Sequence, residues 1–214
     1  MTGEAGSGLV AVLERSWEAI RERCGEVPEV VVVVVAAGSE GKGLKLGHFA
    51  ASRWHLDGAQ RAEVLVGGEG LRRGAVDVLG TLLHEAAHGL AQARGVRDTS
   101  RGGRYHNRRY RSVAEELGLE VVETPPIGWS GTTVPPAMVA AYKGAVAELD
   151  EALVLWRVAE QRGGRGSRSR NLPVCVCGCP RRIRVAAATL DLAPIVCGAC
   201  DQPFAIEDAS EVDD

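Results

Sequence analysis

One pentapeptide, His84-Glu85-Ala86-Ala87-His88, restricts the fold of this chain more than any other segment, because it sits inside an almost unbroken apolar stretch. Leu82, Leu83, Ala86, Ala87, Leu90 and Ala91 cover a helix over residues 71–94 nearly all round. Such a helix has to be buried, so other layers must form around it. On a helix, positions i and i+4 project from one face. His84 and His88 therefore stand side by side, able to grip one metal ion, with Glu85 next to them as a general base. A glutamate buried between two histidines needs a partner, and a metal with its water supplies one. This is the core of a zinc-dependent peptidase.

The flanking sequence provides the layers. Its 214 residues suit one catalytic domain and a small module, and 45% hydrophobic residues are enough for a core. Residues 8–24 have helical periodicity through Leu9, Val12, Leu13, Trp17 and Ile20. Six valines at 30–35 favour a strand, because β-branched side chains pack well on a pleated surface. A turn is expected over 38–43, then strands over 45–54 and 61–66 joined by Asp57-Gly58. Residues 67–70 read as a loop, 95–103 as a polar loop, and 104–117 as a second helix stopped at Gly118. A short strand follows at 119–122. Four prolines make 124–136 irregular, and 137–158 reads as one long helix. Helix, three strands, motif helix and second helix describe a small α+β domain whose sheet supports the helix that presents the metal.

Net charge is −3, but its distribution is uneven. Residues 93–112 hold seven arginines and one aspartate, and 157–184 hold eight arginines and one glutamate. Residues 203–214 hold five acids and no base. Two basic blocks and an acidic tail suggest an anionic partner, with nucleic acid as the candidate. No targeting signal is recognisable, and the longest apolar run, residues 30–37, is far short of the roughly 20 residues needed to span a bilayer. The expectation is a cytoplasmic protein with no membrane association.

Catalytic zinc usually takes three protein ligands and keeps an open position for water. The metzincin spacing is excluded, because this chain has Ala91 and Arg94 where that class needs glycine and histidine. His106 is the favoured third ligand: it follows a glycine-rich loop at the expected start of a helix, close enough to fold back onto His84 and His88. Glu115, Glu116 and Asp98 are the alternatives. Tyr105, Tyr110 and His55 are candidates for a hydrogen-bond donor to the transition state.

HEAAHGLAQ, then a loop, then RYHNRRYRSVAEELGL resembles the SprT-like family of zinc metallopeptidases. The shared pattern is HExxH, then a histidine some 15 to 20 residues on, then an aromatic four residues later; here the last two are His106 and Tyr110. Gly47, Phe49 and Trp54 in the upstream strand pair also look like the family. Asn107 replaces the usual glycine, and Tyr110 the usual phenylalanine. The resemblance implies a zincin-like core over 8–122, zinc held by His84, His88 and His106, a protein substrate, and a role near DNA, since eukaryotic relatives cleave proteins crosslinked to it. Residues 123–160 are then a proline-rich loop and long helix, and 161–171 a flexible basic linker.

Residues 172–206 carry five of the six cysteines. Cys175, Cys177 and Cys179 precede Cys197-Gly198-Ala199-Cys200, the spacing of a zinc ribbon. Cys177, Cys179, Cys197 and Cys200 are the favoured ligands, with Cys175 the competitor for Cys179. A strand is expected over 182–189. So small a module cannot bury enough core to fold alone, so metal binding supplies its stability. Arg181, Arg182 and Arg184 beside the knuckle suit phosphates. Residues 207–214 are an acidic tail, and lone Cys24 is a small core residue.

The chain thus calls for two Zn²⁺ ions, one catalytic and one structural. The leading reading is hydrolysis of peptide bonds by Glu85 acting on zinc-activated water, with DNA-associated proteins as candidate targets. The competing readings are a non-catalytic zinc-containing module that binds DNA or protein, and a metal-dependent hydrolase of some other bond. An intact Glu85 disfavours a bare scaffold, which needs no base there.

Overall fold

The computed structural model describes residues 5–37, 45–159 and 172–207. The turn expected over 38–43, the linker over 161–171 and all but the first residue of the acidic tail lie outside them. The chain divides into two compact units, Met1–Gln161 and Arg162–Asp214, and the architecture is mixed α+β with small sheets. No helix among the described residues is long and apolar enough to cross a membrane.

In the first unit, α1 (Ala5–Arg23) buries Leu9, Val12, Leu13, Trp17 and Ile20 along one stripe. Three strands follow: β1 (Val30–Val35), β2 (Gly47–Leu56) and β3 (Ala59–Gly67). β3 lies in the centre, parallel to β1 and antiparallel to β2. Asp57 and Gly58, both at positive φ, form the β2–β3 turn as the sequence suggests.

The motif helix is shorter than its apolar run. Residues Gly68–Arg73 form a 3₁₀ turn, and Gly74 at φ 91° separates it from α2 (Ala75–Ala93). Leu79, Leu82, Leu83, Ala86, Ala87, Leu90 and Ala91 are fully buried. α2 packs on β2 and α1.

The next segment departs from the expectation. Residues 104–117 are not one helix. β4 (Thr99–Ser100) and β5 (Tyr105–His106) form a small antiparallel pair, and α3 (Arg108–Glu116) starts only after Asn107. The Asn107 side chain caps α3, its Oδ1 accepting from the Arg109 and Tyr110 N–H groups.

Residues 124–136 are not irregular either: β6 (Glu120–Thr124) and β7 (Gly128–Thr133) form an antiparallel hairpin. The prolines stand outside β7, where no ladder hydrogen bond is lost. β7 also bridges β5 through His106 and Gly128.

The long helix expected over 137–158 is two short ones, α4 (Pro136–Ala141) and α5 (Lys143–Ala152). The bend at Tyr142 puts both Tyr142 and Leu149 into the core, 4% and 0% exposed, so packing overrides continuity of the helix. Beyond α5 the chain is extended. The Arg157 backbone N–H donates to the Gly68 carbonyl, and its guanidinium pairs with buried Glu69, whose second oxygen accepts from the Ala37 N–H at 2.6 Å.

The second unit holds β8 (Val174–Val176), β9 (Arg182–Arg184), a helical turn α6 (Ala187–Leu190) and β10 (Ala205–Ile206), with β8 central in an antiparallel sheet. The strand expected over 182–189 ends at Arg184.

Candidate metal centres

α2 presents His84, Glu85 and His88, and β5 carries His106 to them. His106 therefore reaches the cluster from a strand, not from a second ligand helix. The three imidazole centroids lie 5.0 to 5.3 Å apart, and one ring nitrogen from each falls within 4.8 Å of the others, so the three could hold a metal ion.

Each ring is anchored through its outer nitrogen. His88 Nδ1 meets Asp98 Oδ2 at 2.5 Å, His84 Nδ1 meets Thr132 Oγ1 at 3.2 Å, and His106 Nδ1 meets the Ile127 carbonyl at 3.3 Å. A carboxylate and a carbonyl can only accept, so the chemistry of these partners assigns a proton to Nδ1 of His88 and His106. In the neutral rings both Nε2 atoms are then bare acceptors, yet they face each other at 3.1 Å. Two lone pairs at that distance can be bridged by a shared proton or by a metal ion. For zinc–nitrogen bonds of about 2.0–2.1 Å in a tetrahedron, the ligand atoms stand about 3.3 Å apart, so the residues fit such an ion. Burial and the neighbouring His88 and His106 push the His84 pKa down to about 3, and burial with His88 also lowers that of His106. Both shifts favour the neutral form that a metal ligand needs.

Glu85 is 5% exposed, and its Oε2 accepts from the Phe49 N–H of β2 at 2.7 Å. Burial raises its pKa to about 7, against the opposing pull of nearby positive charge and the Phe49 N–H. Such a carboxyl can take up or release a proton near neutrality.

His84, Glu85 and His106 open into a cleft of about 610 Å³. Its floor is α2, with Val76, Gly80 and His84 in one row and Asp77, Thr81 and Glu85 in the next. One wall is the β7 hairpin with Ser130 and Thr132, and the other is Lys45 and Leu46 leading into β2 at Gly47.

The other candidates lie elsewhere. Asp98 grips His88 from outside and does not join the inner nitrogens. Glu115 pairs with Arg111, and Glu116 with Arg94. Tyr110 lies against all three imidazoles, 4.6 to 5.0 Å between centroids, and its hydroxyl donates to the His84 carbonyl at 3.4 Å. It is a buried floor whose phenol pKa burial raises, and it does not line the cleft. Tyr105 donates to Glu123, and His55 lies on the exposed far end of β2.

Ile127 and Thr132 escape the sequence reading, because the prolines around them conceal the strand; Thr132-Thr133, β-branched and next to Gly131, is the available sign of it. Gly128 has φ 78°, and a Cβ there would collide with the His106 carbonyl. Only glycine lets β7 approach β5 this closely.

In the second unit Cys177, Cys179, Cys197 and Cys200 bring their sulfurs within 4.8 Å of one another and could hold a second ion. Cys177 and Cys179 Sγ are 3.4 Å apart, and Cys179 and Cys197 Sγ 3.8 Å. Cys175 is buried on β8 with its thiol toward the Pro173 carbonyl, outside this group. Backbone N–H groups of Ala199 and Cys200 lower the Cys197 thiol pKa, which favours the thiolate a metal needs.

Comparison with protein-family models, with curated proteins and with solved structures gave no match.

Proposed function

We propose that this chain is a zinc-dependent peptidase of the SprT-like type, with a zincin-like catalytic core and a zinc ribbon. The observation that carries the reading is the pair of bare Nε2 atoms on His88 and His106, 3.1 Å apart, beside a buried Glu85 on the floor of an open cleft. His84, His88 and His106 would hold the ion, and Asp98, Thr132 and the Ile127 carbonyl would fix their rings. Zinc, when bound, supplies Lewis acidity that polarises a carbonyl and lowers the pKa of water.

The remaining work falls to the chain itself. The Phe49 N–H holds one oxygen of Glu85, leaving the other to take a proton from water. Glu85 then returns that proton to the departing amine. The cleft, open between α2 and β7, has room for a segment of polypeptide. Cys177, Cys179, Cys197 and Cys200 would hold a structural zinc that stabilises the second unit.

DNA is the proposed partner beyond the substrate. Arg101, Arg104, Arg108 and Arg109 are exposed close to His106 in sequence, and Arg181, Arg182 and Arg184 are exposed beside the cysteine cluster. The arginine-rich linker adds to the same charge.

The test is cleavage of an unfolded protein by the zinc-loaded chain, with and without DNA. A chelator should abolish cleavage, and Glu85→Gln should abolish it with zinc content unchanged. Equal cleavage by Glu85→Gln would remove Glu85 as the base, and no cleavage by the wild type under any condition would sink the peptidase reading.

A further inference from the structure

We propose that Gly47 is a positioning residue for Glu85: the absent side chain at the start of β2 is the space into which the carboxylate fits. The inference rests on the reading of Glu85 as the general base.

A Cβ built on Gly47 would lie 2.6 Å from Glu85 Oε1, 2.9 Å from Glu85 Cγ and 2.8 Å from Thr81 Cγ2. All three are well inside van der Waals contact, so the fold cannot hold alanine at 47 with Glu85 where it is. Gly47 is not among the positive-φ glycines, so glycine is needed there for room and not for backbone freedom. Two residues on, β2 fits α2 in the complementary sense. The Phe49 ring lies over Gly89, where a Cβ would be 3.3 Å from Phe49 Cε2. Gly47 and Phe49 are alternate residues of β2, and Glu85 and Gly89 are one turn apart on α2, so strand and helix meet in register.

Within that register Glu85 is held from two sides. The Phe49 N–H fixes Oε2 at 2.7 Å, and Gly47 leaves Oε1 the room it occupies beside the cleft. Adding one methyl group displaces the flexible end of Glu85 before it moves the backbone, breaking the bond to Phe49 while His84, His88 and His106 stay in place. Gly47 touches no inner nitrogen of the metal site, so its effect on turnover passes through Glu85, while the contact with Thr81 Cγ2 acts on strand–helix packing in either background.

The experiment is a double-mutant cycle on the full chain, with Gly47→Ala, Glu85→Asp and the double variant read by kcat, KM, zinc content and thermal midpoint. Aspartate keeps a Cγ, but its carboxylate stops short of the point that Oε1 occupies, which removes the shortest of the three contacts, 2.6 Å. Gly47→Ala alone should lower kcat at least about tenfold, a part of the roughly 10²- to 10⁴-fold that general acid–base catalysis contributes. KM should change by less than about twofold and zinc content not at all, as expected for loss of a group that acts on the reaction and not on binding. In the Glu85→Asp background the same substitution should lower the residual kcat by no more than about twofold. The thermal midpoint should follow the same pattern, falling on Gly47→Ala with Glu85 present and falling less in the Glu85→Asp background. Unchanged kcat in Gly47→Ala, or an equal loss in both backgrounds, would overturn the proposal. If the wild type cleaves nothing, the peptidase reading fails, while the thermal cycle still decides whether Gly47 and Glu85 are coupled.

Discussion

If His84, His88 and His106 hold zinc as proposed, Asp98→Ala should weaken that site without removing a ligand. Asp98 Oδ2 lies 2.5 Å from His88 Nδ1, and the two side chains are only 14% and 17% exposed, so water competes poorly for either. A hydrogen bond to a charged group contributes about 1.5–3 kcal/mol. Loss of such an outer partner lowers metal affinity about 10- to 100-fold, which at about 1.4 kcal/mol per decade is about 1.4–2.8 kcal/mol. The two ranges agree, because the bond that orients His88 is also the one that keeps its proton on Nδ1 and its lone pair on Nε2. The loop itself should survive: the Asn107 N–H donates to the Asp98 backbone carbonyl at 3.0 Å, and Asn107 Nδ2 to the Arg97 carbonyl at 2.9 Å, neither using the deleted carboxylate. Asp98→Asn keeps an acceptor but no charge and should fall in between. The assay is competition for zinc against a chromogenic chelator, with the cysteine site already filled. Affinity within twofold of wild type in Asp98→Ala would refute the claim that Asp98 positions His88.

Three further outcomes follow from the same contacts. The Ala37 N–H and Arg157 hold the Glu69 carboxyl below its ordinary pKa although burial alone would raise it; a depressed folded-state value stabilises above the usual carboxylate range and is lost as pH falls through it. Glu69→Gln should therefore cost about 1.5–3 kcal/mol in urea unfolding at pH 7, and a gap that fails to shrink below about pH 4 would contradict this. Gly128→Ala, at φ 78° and against the His106 carbonyl, should destabilise the fold by more than about 1 kcal/mol and weaken zinc binding together; retention of both would show that β7 can retreat from β5 without moving His106. Tyr110→Phe should keep cleavage within about twofold, because among the described residues its hydroxyl bonds to the His84 carbonyl alone, at 3.4 Å, whereas Tyr110→Ala should cost about 3–5 kcal/mol of stability. Loss of turnover in Tyr110→Phe would make that hydroxyl a catalytic donor after all.

The elements legible in the sequence are those whose local signal and burial agree. The apolar stripe of α1, the six valines of β1, the Asp57-Gly58 turn and the buried faces of α2 all read correctly because the period of the pattern matches the surface each element buries. His106 is legible as a candidate, but the element carrying it is not. Tyr105-His106 is too short to show alternation, and its strand conformation comes from pairing with β4 and β7. The prolines at 125, 126, 135 and 136 hide β7 by flanking it, and with it the two groups that orient His84 and His106. Asp98 stands among the candidate ligands because sequence spacing cannot distinguish an inner from an outer partner. The choice between Cys175 and Cys179 likewise depends on which way each thiol faces, which emerges only when β8 pairs with β9 and β10.

The most direct test of the histidine site is metal content by elemental analysis on the wild type and on His106→Ala. Two zinc ions per chain are expected in the wild type and one in the variant, the remaining ion held by Cys177, Cys179, Cys197 and Cys200. Two ions in both proteins, or a single ion in the wild type held by the cysteines alone, would contradict this.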